Sequence, residues 1–385
     1  MRIRTRHLAT GTQVIDDAVI TIEDGDVVAV GPADPATAAD QPVDHDHDGW
    51  VLPGFVDTHV HGGGGADYAR GDADEIRRAA AYHRAHGTTS TFASLVTAEI
   101  DELVDQLGVV VPLVRSGELA GIHLEGPFLS PAKRGAHEPS LLRPPDPESI
   151  ERLLEAGQGC LSMITIAPEL PGALDAIRRL RAAGVTAAIG HTDGDERTTL
   201  AGLDAGATAA THLFNAMRSI HHRAPGPVPR LLTDERCLVE LICDGVHTHP
   251  EVLAMAFAAA GPDRFALVTD AMVATGMSDG DYALGGLDVR VQSGVARLRN
   301  PDGTLGSIAG STLGTGGAVQ VLHREVGLGF ADLAAVAAAT PARWHGLDRV
   351  GVLEPGRRAD LVLLDDDAGL VRVMQNGRWV EEETR

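Results

Sequence analysis

Of the 32 lysines and arginines in this chain only Lys133 is a lysine, and 54 aspartates and glutamates outnumber them to leave a net charge of −22. A face basic enough for nucleic acid or an anionic membrane surface is therefore missing. An anionic small substrate would need a locally positive pocket instead. Cysteine is scarce too: Cys160, Cys237 and Cys243 form an odd, scattered set without Cys-x-x-Cys spacing, which fits reduced thiols and argues against a disulfide framework or a structural zinc site. No apolar run is long enough to span a bilayer. The arginines within residues 1–17 are not followed by an apolar stretch, so no secretory signal is expected and the chain is expected in the cytoplasm. Nor does a Gly-x-Gly-x-x-Gly open a helix after an early strand, which counts against a doubly wound open sheet.

What is present is a globular composition, 385 residues with 44% hydrophobic and 22% charged content, enough for two domains or one barrel-sized domain with an accessory piece. The two ends share a texture. Ala18-Val19-Ile20-Thr21-Ile22 and Val27-Val28-Ala29-Val30 alternate around an Asp24-Gly25 turn, and Asp360 to Leu364 and Val371 to Met374 repeat the pattern before an Asn376-Gly377 turn. Isolated hairpins are marginal, so the ends are expected to pair into one small β-sandwich domain, residues 1–52 plus 345–385. The Asp/His run from Asp44 to Asp48 reads as a solvated loop.

Between the ends, apolar strand-like runs alternate with Ala/Leu/Arg-rich helical stretches. The runs are Gly54 to His59, Thr88 to Val96, Leu119 to Leu124, Leu161 to Ile166, Val185 to Ile189, Ala207 to Thr211, Leu238 to Ile242 and Phe265 to Thr269. Helical patterns such as Asp74 to His86, Ser149 to Ala156, Ala173 to Ala183 and Glu251 to Ala260 fill the gaps, several stopping at glycine. Eight strands buried on both faces, each followed by a crossover, predict a (β/α)8 TIM-like barrel over residues 53–344. Asp279 to Arg299 reads as a further hairpin and Gly314 to Gly327 as a closing helix.

A barrel of this kind assembles chemistry at the C-terminal ends of its strands. The polar residues there are His59 and His61 on the first, Glu125 on the third, His191 on the fifth, His212 on the sixth, His247 after the seventh and Asp270 on the eighth. Period-two geometry puts His59 and His61 on one side of their strand, where two imidazoles can share an ion. Any one of these histidines alone reads equally well as a hydrogen-bonded core residue. Glu125 alone could cap a turn. Together they read as a metal-ligand set. Asp270 is placed to take a proton from water activated by a divalent ion and to return it to a leaving group. Histidine and carboxylate donors accept several metals, so the expected cofactor is one or two divalent ions, zinc first, with iron, manganese or cobalt as alternatives.

Through Pro53-Gly54-Phe55-Val56-Asp57-Thr58-His59-Val60-His61-Gly62 and the late Gly356-Arg357-Arg358-Ala359-Asp360-Leu361 segment, the chain resembles the amidohydrolase superfamily. Leu124 to Phe128, Gly190-His191-Thr192, Thr211 to Met217, Asp244 to His247, Thr269 to Met272 and Ala309 to Leu313 are similar to the N-acetylglucosamine-6-phosphate deacetylase branch, essentially end to end. The resemblance implies hydrolysis of the acetamide of that sugar phosphate to glucosamine 6-phosphate and acetate. It implies metal ligands at Glu125, His191 and His212, with Asp270 as acid/base and a second ion open at His59 and His61. It also implies substrate contacts at Ala136, His137, Asn215, Ala216, Arg223, His247, Ile308, Ala309 and Gly310, with Arg223 reaching the neighbouring active site of a homodimer. N-acetylgalactosamine 6-phosphate stays open as the substrate, because it differs in one hydroxyl's orientation. Hydantoinase- or dihydroorotase-like enzymes are the next reading. Many of them use a carboxylated lysine at the fourth strand's end, where this chain has Thr165-Ile166-Ala167-Pro168-Glu169. A catalytically silent barrel acting as a scaffold is the reading of another class, disfavoured by the full ligand set.

Overall fold

The computed structural model describes residues 1–33 and 42–381. The chain divides into two compact units, one of residues 1–57, 81–90 and 315–385 and the other of residues 58–80 and 91–314.

Strands from both chain ends form one seven-stranded sheet. Its order runs Arg378–Trp379, Leu370–Gln375, Leu361–Leu364, His45–Pro53, Arg2–Ala9, Val14–Glu23, Asp26–Pro32. The sheet curls until its edge strand meets the chain entering Leu361–Leu364: Val27 N–H donates to Arg357 O at 2.9 Å and Gly356 N–H to Val27 O at 2.8 Å. The alternate residues Ile3, Leu8, Ile20, Val27, Val51, Leu361 and Met374 thereby share one apolar core. The late Gly356 to Leu361 motif serves this closure. Asp360 accepts from Arg358 Nε at 2.9 Å and from Asn376 N–H at 2.8 Å, fixing the turn before the last strands.

The run Asp44 to Asp48 is not a loop, as its composition suggests. From His45 onward it belongs to His45–Pro53, which pairs parallel with Arg2–Ala9. Histidine is the half-buried member of a His/Asp alternation: His45 packs against Trp379 and His47 Nε2 donates to Leu364 O at 2.9 Å, while Asp46 and Asp48 face out. The period of two is there, carried by residues that hydropathy does not count.

The second sheet has eight parallel strands in sequence order: Phe55–Asp57, Thr88–Val96, Gly121–Glu125, Leu161–Ile166, Thr186–Ile189, Ala209–Ala210, Leu238–Ile242 and Phe265–Val268. This is the barrel expected from the alternation of runs. The first and sixth strands are shorter than their apolar runs. Closure happens at the mouth, where Asp270 N–H donates to His59 O at 2.9 Å, His61 N–H to Ala271 O at 2.8 Å, and Val60 bridges Ala271. Crossover helices such as Pro147–Gly157 and Glu196–Ala205 start on side-chain caps, Asp146 to Ser149 N–H and Asp195 to Thr198 N–H. The expected hairpin grows into four antiparallel strands, Gly280–Leu284, Leu287–Gln292, Val295–Arg299 and Leu305–Ile308. Its last strand delivers Ala309 and Gly310 to Ser311, whose N–H donates to Asp270 O at 2.7 Å. The closing helix is Thr315–Val321, continued by a wider π turn at Leu322–Val326 and stopped by Gly327 at φ +84°.

Candidate metal centre and substrate pocket

His191, His212 and Asp270 leave their strands in the left-handed backbone region, at φ +47°, +29° and +51°. Residues with a side chain seldom adopt it, and each such residue costs roughly 1–3 kcal/mol. The turn swings each side chain into the mouth instead of along the barrel wall. Glu125 ends its strand and is followed by Gly126 at φ +93°, where a Cβ would lie 2.2 Å from Thr97 Oγ1. Only glycine lets the chain turn there.

These side chains converge in two groups that share one carboxylate. Glu125 Oε1 lies 3.0 Å from His191 Nε2 and 2.8 Å from His212 Nε2, and the two ring nitrogens are 3.1 Å apart. Glu125 Oε2 lies 3.1 Å from His61 Nε2, which is also 3.1 Å from Asp270 Oδ1 and 3.1 Å from His59 Nε2. All of these residues are buried. Two sets of donor atoms result, His59, His61, Glu125 and Asp270 in one and Glu125, His191 and His212 in the other, each compact enough to hold an ion.

The outer ring nitrogens fix the tautomers. His191 Nδ1 donates to Lys133 O at 2.8 Å and His61 Nδ1 to Ser94 O at 3.1 Å, so in the neutral rings both Nε2 atoms carry bare lone pairs. Bare nitrogens facing carboxylate oxygens at about hydrogen-bond distance repel unless positive charge lies among them. Protons or a cation must supply it. The electrostatics of the site agree. Burial pushes the Glu125 carboxyl upward, but His59, His137 and His191 outweigh it and hold it well below the usual carboxylate range. Burial would likewise lower His61, yet its contacts with Asp270 and Glu125 push it up to about 9. Asp270 is held low by His61 and His59 against its own burial. The donor set is the imidazole-and-carboxylate chemistry that divalent transition metals take.

The other expected residues divide. His137 is buried with Nε2 3.4 Å from Glu125 Oε2, and its Nδ1 has no hydrogen-bond partner among the described residues. Burial, only partly offset by Glu125, lowers its pKa to about 4. Asn215 and Ala216 lie in the tight turn after His212, with Asn215 N–H on His212 O at 3.0 Å. Ala136 follows Gly135, where an added Cβ would lie 3.1 Å from His191 Cε1. His247, Ile308 and Gly310 line a cavity of about 150 Å³ together with Asp244, Gly294 and Ser311; Ala309 is buried beside it in sequence. His247 Nδ1 pairs with Asp244 at 2.7 Å, and this contact outweighs burial to raise the imidazole's pKa. Arg223 is not brought into this cavity. It is exposed on the irregular loop of residues 218–227, with Nη1 donating to His222 Nε2 at 2.7 Å. A larger cavity of about 470 Å³, lined by Asp279, Arg290 and Arg299, lies on the four-stranded sheet and contains none of these residues.

Two polar residues escaped the sequence reading. His123 and Glu240 lie inside strands, and their signal was a titratable side chain in an otherwise apolar run, Gly-Ile-His-Leu-Glu and Leu-Val-Glu-Leu-Ile. Asp244, read there only as part of the Asp244 to His247 segment, orients His247.

Residues 50–380 match the amidohydrolase family. The chain is 35% identical to an N-acetylgalactosamine-6-phosphate deacetylase of Escherichia coli O157:H7, over 98% of each chain. It is also 35% identical to an N-acetylglucosamine-6-phosphate deacetylase of Vibrio furnissii, over 98% of this chain and 94% of the relative. Among solved structures it is similar to a variant N-acetyl-D-glucosamine-6-phosphate deacetylase from Mycobacterium smegmatis in complex with N-acetyl-D-glucosamine-6-phosphate, at a TM-score of 0.94 and 46% identity over 99% of each chain.

Proposed function

This chain belongs to the amidohydrolase family, and on that premise we propose that it hydrolyses the acetamide of N-acetylglucosamine 6-phosphate to glucosamine 6-phosphate and acetate. The observation that carries the reading is the pair of donor clusters sharing Glu125 at the barrel mouth, tied through the Ser311 N–H on Asp270 O to a cavity lined by His247 and Ser311. Relatives acting on either amino-sugar epimer match over nearly the whole chain, and the similar solved structure binds the gluco sugar, which favours that substrate. The lysine-bridged alternative finds no support: Lys133 Nζ lies 3.7 Å from Asp193, and Glu125 is the residue common to both donor clusters.

Glu125, His191 and His212 would hold one divalent ion, with zinc the first expectation, and His59, His61, Glu125 and Asp270 a second. A divalent ion there supplies Lewis acidity toward a carbonyl oxygen and a source of hydroxide at neutral pH. The chain's own groups do the rest. Asp270, ionised and 3.1 Å from His61 Nε2, takes the proton of the attacking water and returns it to the departing amine, so that nitrogen leaves as a neutral amine. His137 stays neutral and presents its ring N–H toward the mouth, where it steadies the substrate oxygen as negative charge develops. His247, with a raised pKa and Asp244 behind it, faces the phosphate from this chain. Arg223 of a second copy completes that pocket, making the active form a homodimer working in the cytoplasm.

Asp270→Asn tests the chemistry. The amide keeps the shape and removes the base, so the variant should retain its divalent ion by elemental analysis and lose about 10²–10⁴-fold in single-turnover rate. A rate within a few-fold of the parent would mean that another group moves the proton.

A further inference from the structure

The His59 imidazole faces a carboxylate on its outer side, where His61 and His191 are backed by the carbonyls of Ser94 and Lys133. Glu240 sits in the middle of Leu238–Ile242, with every residue of that strand buried and Glu240 itself at 0% exposure. Its Oε1 accepts from Thr58 Oγ1 at 2.7 Å. Its Oε2 has no hydrogen-bond partner among the described residues and lies 3.8 Å from His59 Nδ1, an ion-pair distance. A carboxylate buried this completely is costly unless positive charge faces it. His59 is the ring that faces Glu240 Oε2, and its opposite nitrogen points into the cluster with His61, Glu125 and Asp270.

We propose that Glu240 is a positioning residue for the second ion: it aims and polarises the His59 ring, so that an ion shared by His59, His61, Glu125 and Asp270 is held in proportion to the charge on Glu240. The inference rests on the metal-dependent reading above. Its physical basis is that a carboxylate on the far ring nitrogen fixes the tautomer and makes the near nitrogen a stronger donor. The two half-sites then differ in kind. His191 is steered by the carbonyl of Lys133 and its cluster holds the carboxylate of Glu125 alone, whereas the other cluster holds Glu125 and Asp270 with Glu240 behind them. Thr58, the residue before His59, ties the arrangement to the chain by donating its hydroxyl to Glu240.

The test is a Co²⁺ titration of the metal-stripped full chain, followed by visible absorption and checked by elemental analysis after desalting. The parent should take up two equivalents. Glu240→Gln keeps the shape and removes the charge; it should bind one equivalent at about the parent's affinity and the other about 10–100-fold more weakly. Glu240→Asp, which restores the charge at shorter reach, should recover part of that loss. Thr58→Val should weaken the same equivalent to a smaller degree, and it carries the test if Glu240→Gln does not fold. Two equivalents at parent affinity in Glu240→Gln, or equal weakening of both, would overturn the proposal, as would a parent that takes up one. A parent that takes up none would overturn the metal-dependent reading as well.

Discussion

Asp244 and His247 carry the phosphate argument at the scale of single residues. Burial disfavours the imidazolium, but the 2.7 Å contact with Asp244 more than offsets it and His247 ends above its ordinary pKa, while Asp244 is held below its own. Where the folded pKa is raised, the charged form contributes fully below the unfolded value of about 6.5 and is lost as pH rises through the folded value. Affinity for a sugar phosphate should follow the same sign, falling as pH climbs past that point. In Asp244→Asn the burial penalty loses its main offset, so the rise in KM should begin at lower pH than in the parent, with kcat changed less. Superimposable KM profiles for the two proteins between pH 5 and 9 would show that His247 does not bind as an imidazolium. The left-handed turns at His191, His212 and Asp270 belong to this scale too. They were not readable from the sequence: His and Asp tolerate a positive φ better than most side chains, but most of them do not adopt it, and the barrel wall holds these three there at the expense of local strain.

At the scale of elements, the first strand is set by a glycine. A Cβ at Gly54 would lie 2.3 Å from Thr89 Oγ1 and 2.5 Å from its Cγ2. Threonine branches at Cβ and cannot swing clear without leaving its rotamer. Gly54→Ala should therefore destabilise the fold by about 1–3 kcal/mol in urea unfolding. An unchanged midpoint would mean that the strand slides without penalty. Strands buried on both faces were legible because nothing interrupts their apolar runs: Thr88–Val96, Leu161–Ile166 and Leu238–Ile242 fall where the runs place them. Ala207 to Thr211 overstates its strand, Ala209–Ala210, since the same small apolar residues also suit the turn into His212. The His45 to Asp48 alternation was missed for the opposite reason, a strand period written in polar residues. The residues of the two donor clusters were legible as strand-end polar residues. Glu240 was not, because inside an apolar run one carboxylate reads as noise until its partner across the barrel is known.

At the scale of the whole molecule, a chain of net charge −22 binds an anion only where its cations are gathered. His247 is in place in its own cavity and Arg223 is not; the arginine stands exposed on its loop. If a second copy supplies it, Arg223→Ala should raise KM for the 6-phosphate sugar far more than for the unphosphorylated one. Mixing that variant with Asp270→Asn should restore partial activity through hybrid dimers, each with one site that has both an intact Asp270 and an intact arginine. A fully active monomer by sedimentation at assay concentration would contradict the shared pocket. The most direct measurement of the central claim is acetate release by the metal-loaded protein from N-acetylglucosamine 6-phosphate, N-acetylgalactosamine 6-phosphate and their unphosphorylated sugars, with chelator-stripped protein beside it. The account predicts one acetate and one free amine per molecule of the gluco 6-phosphate, slower release from the others, and activity that disappears with the ion and returns with it. Protein that holds its ion at full stoichiometry and frees no acetate from any of these sugars would contradict it.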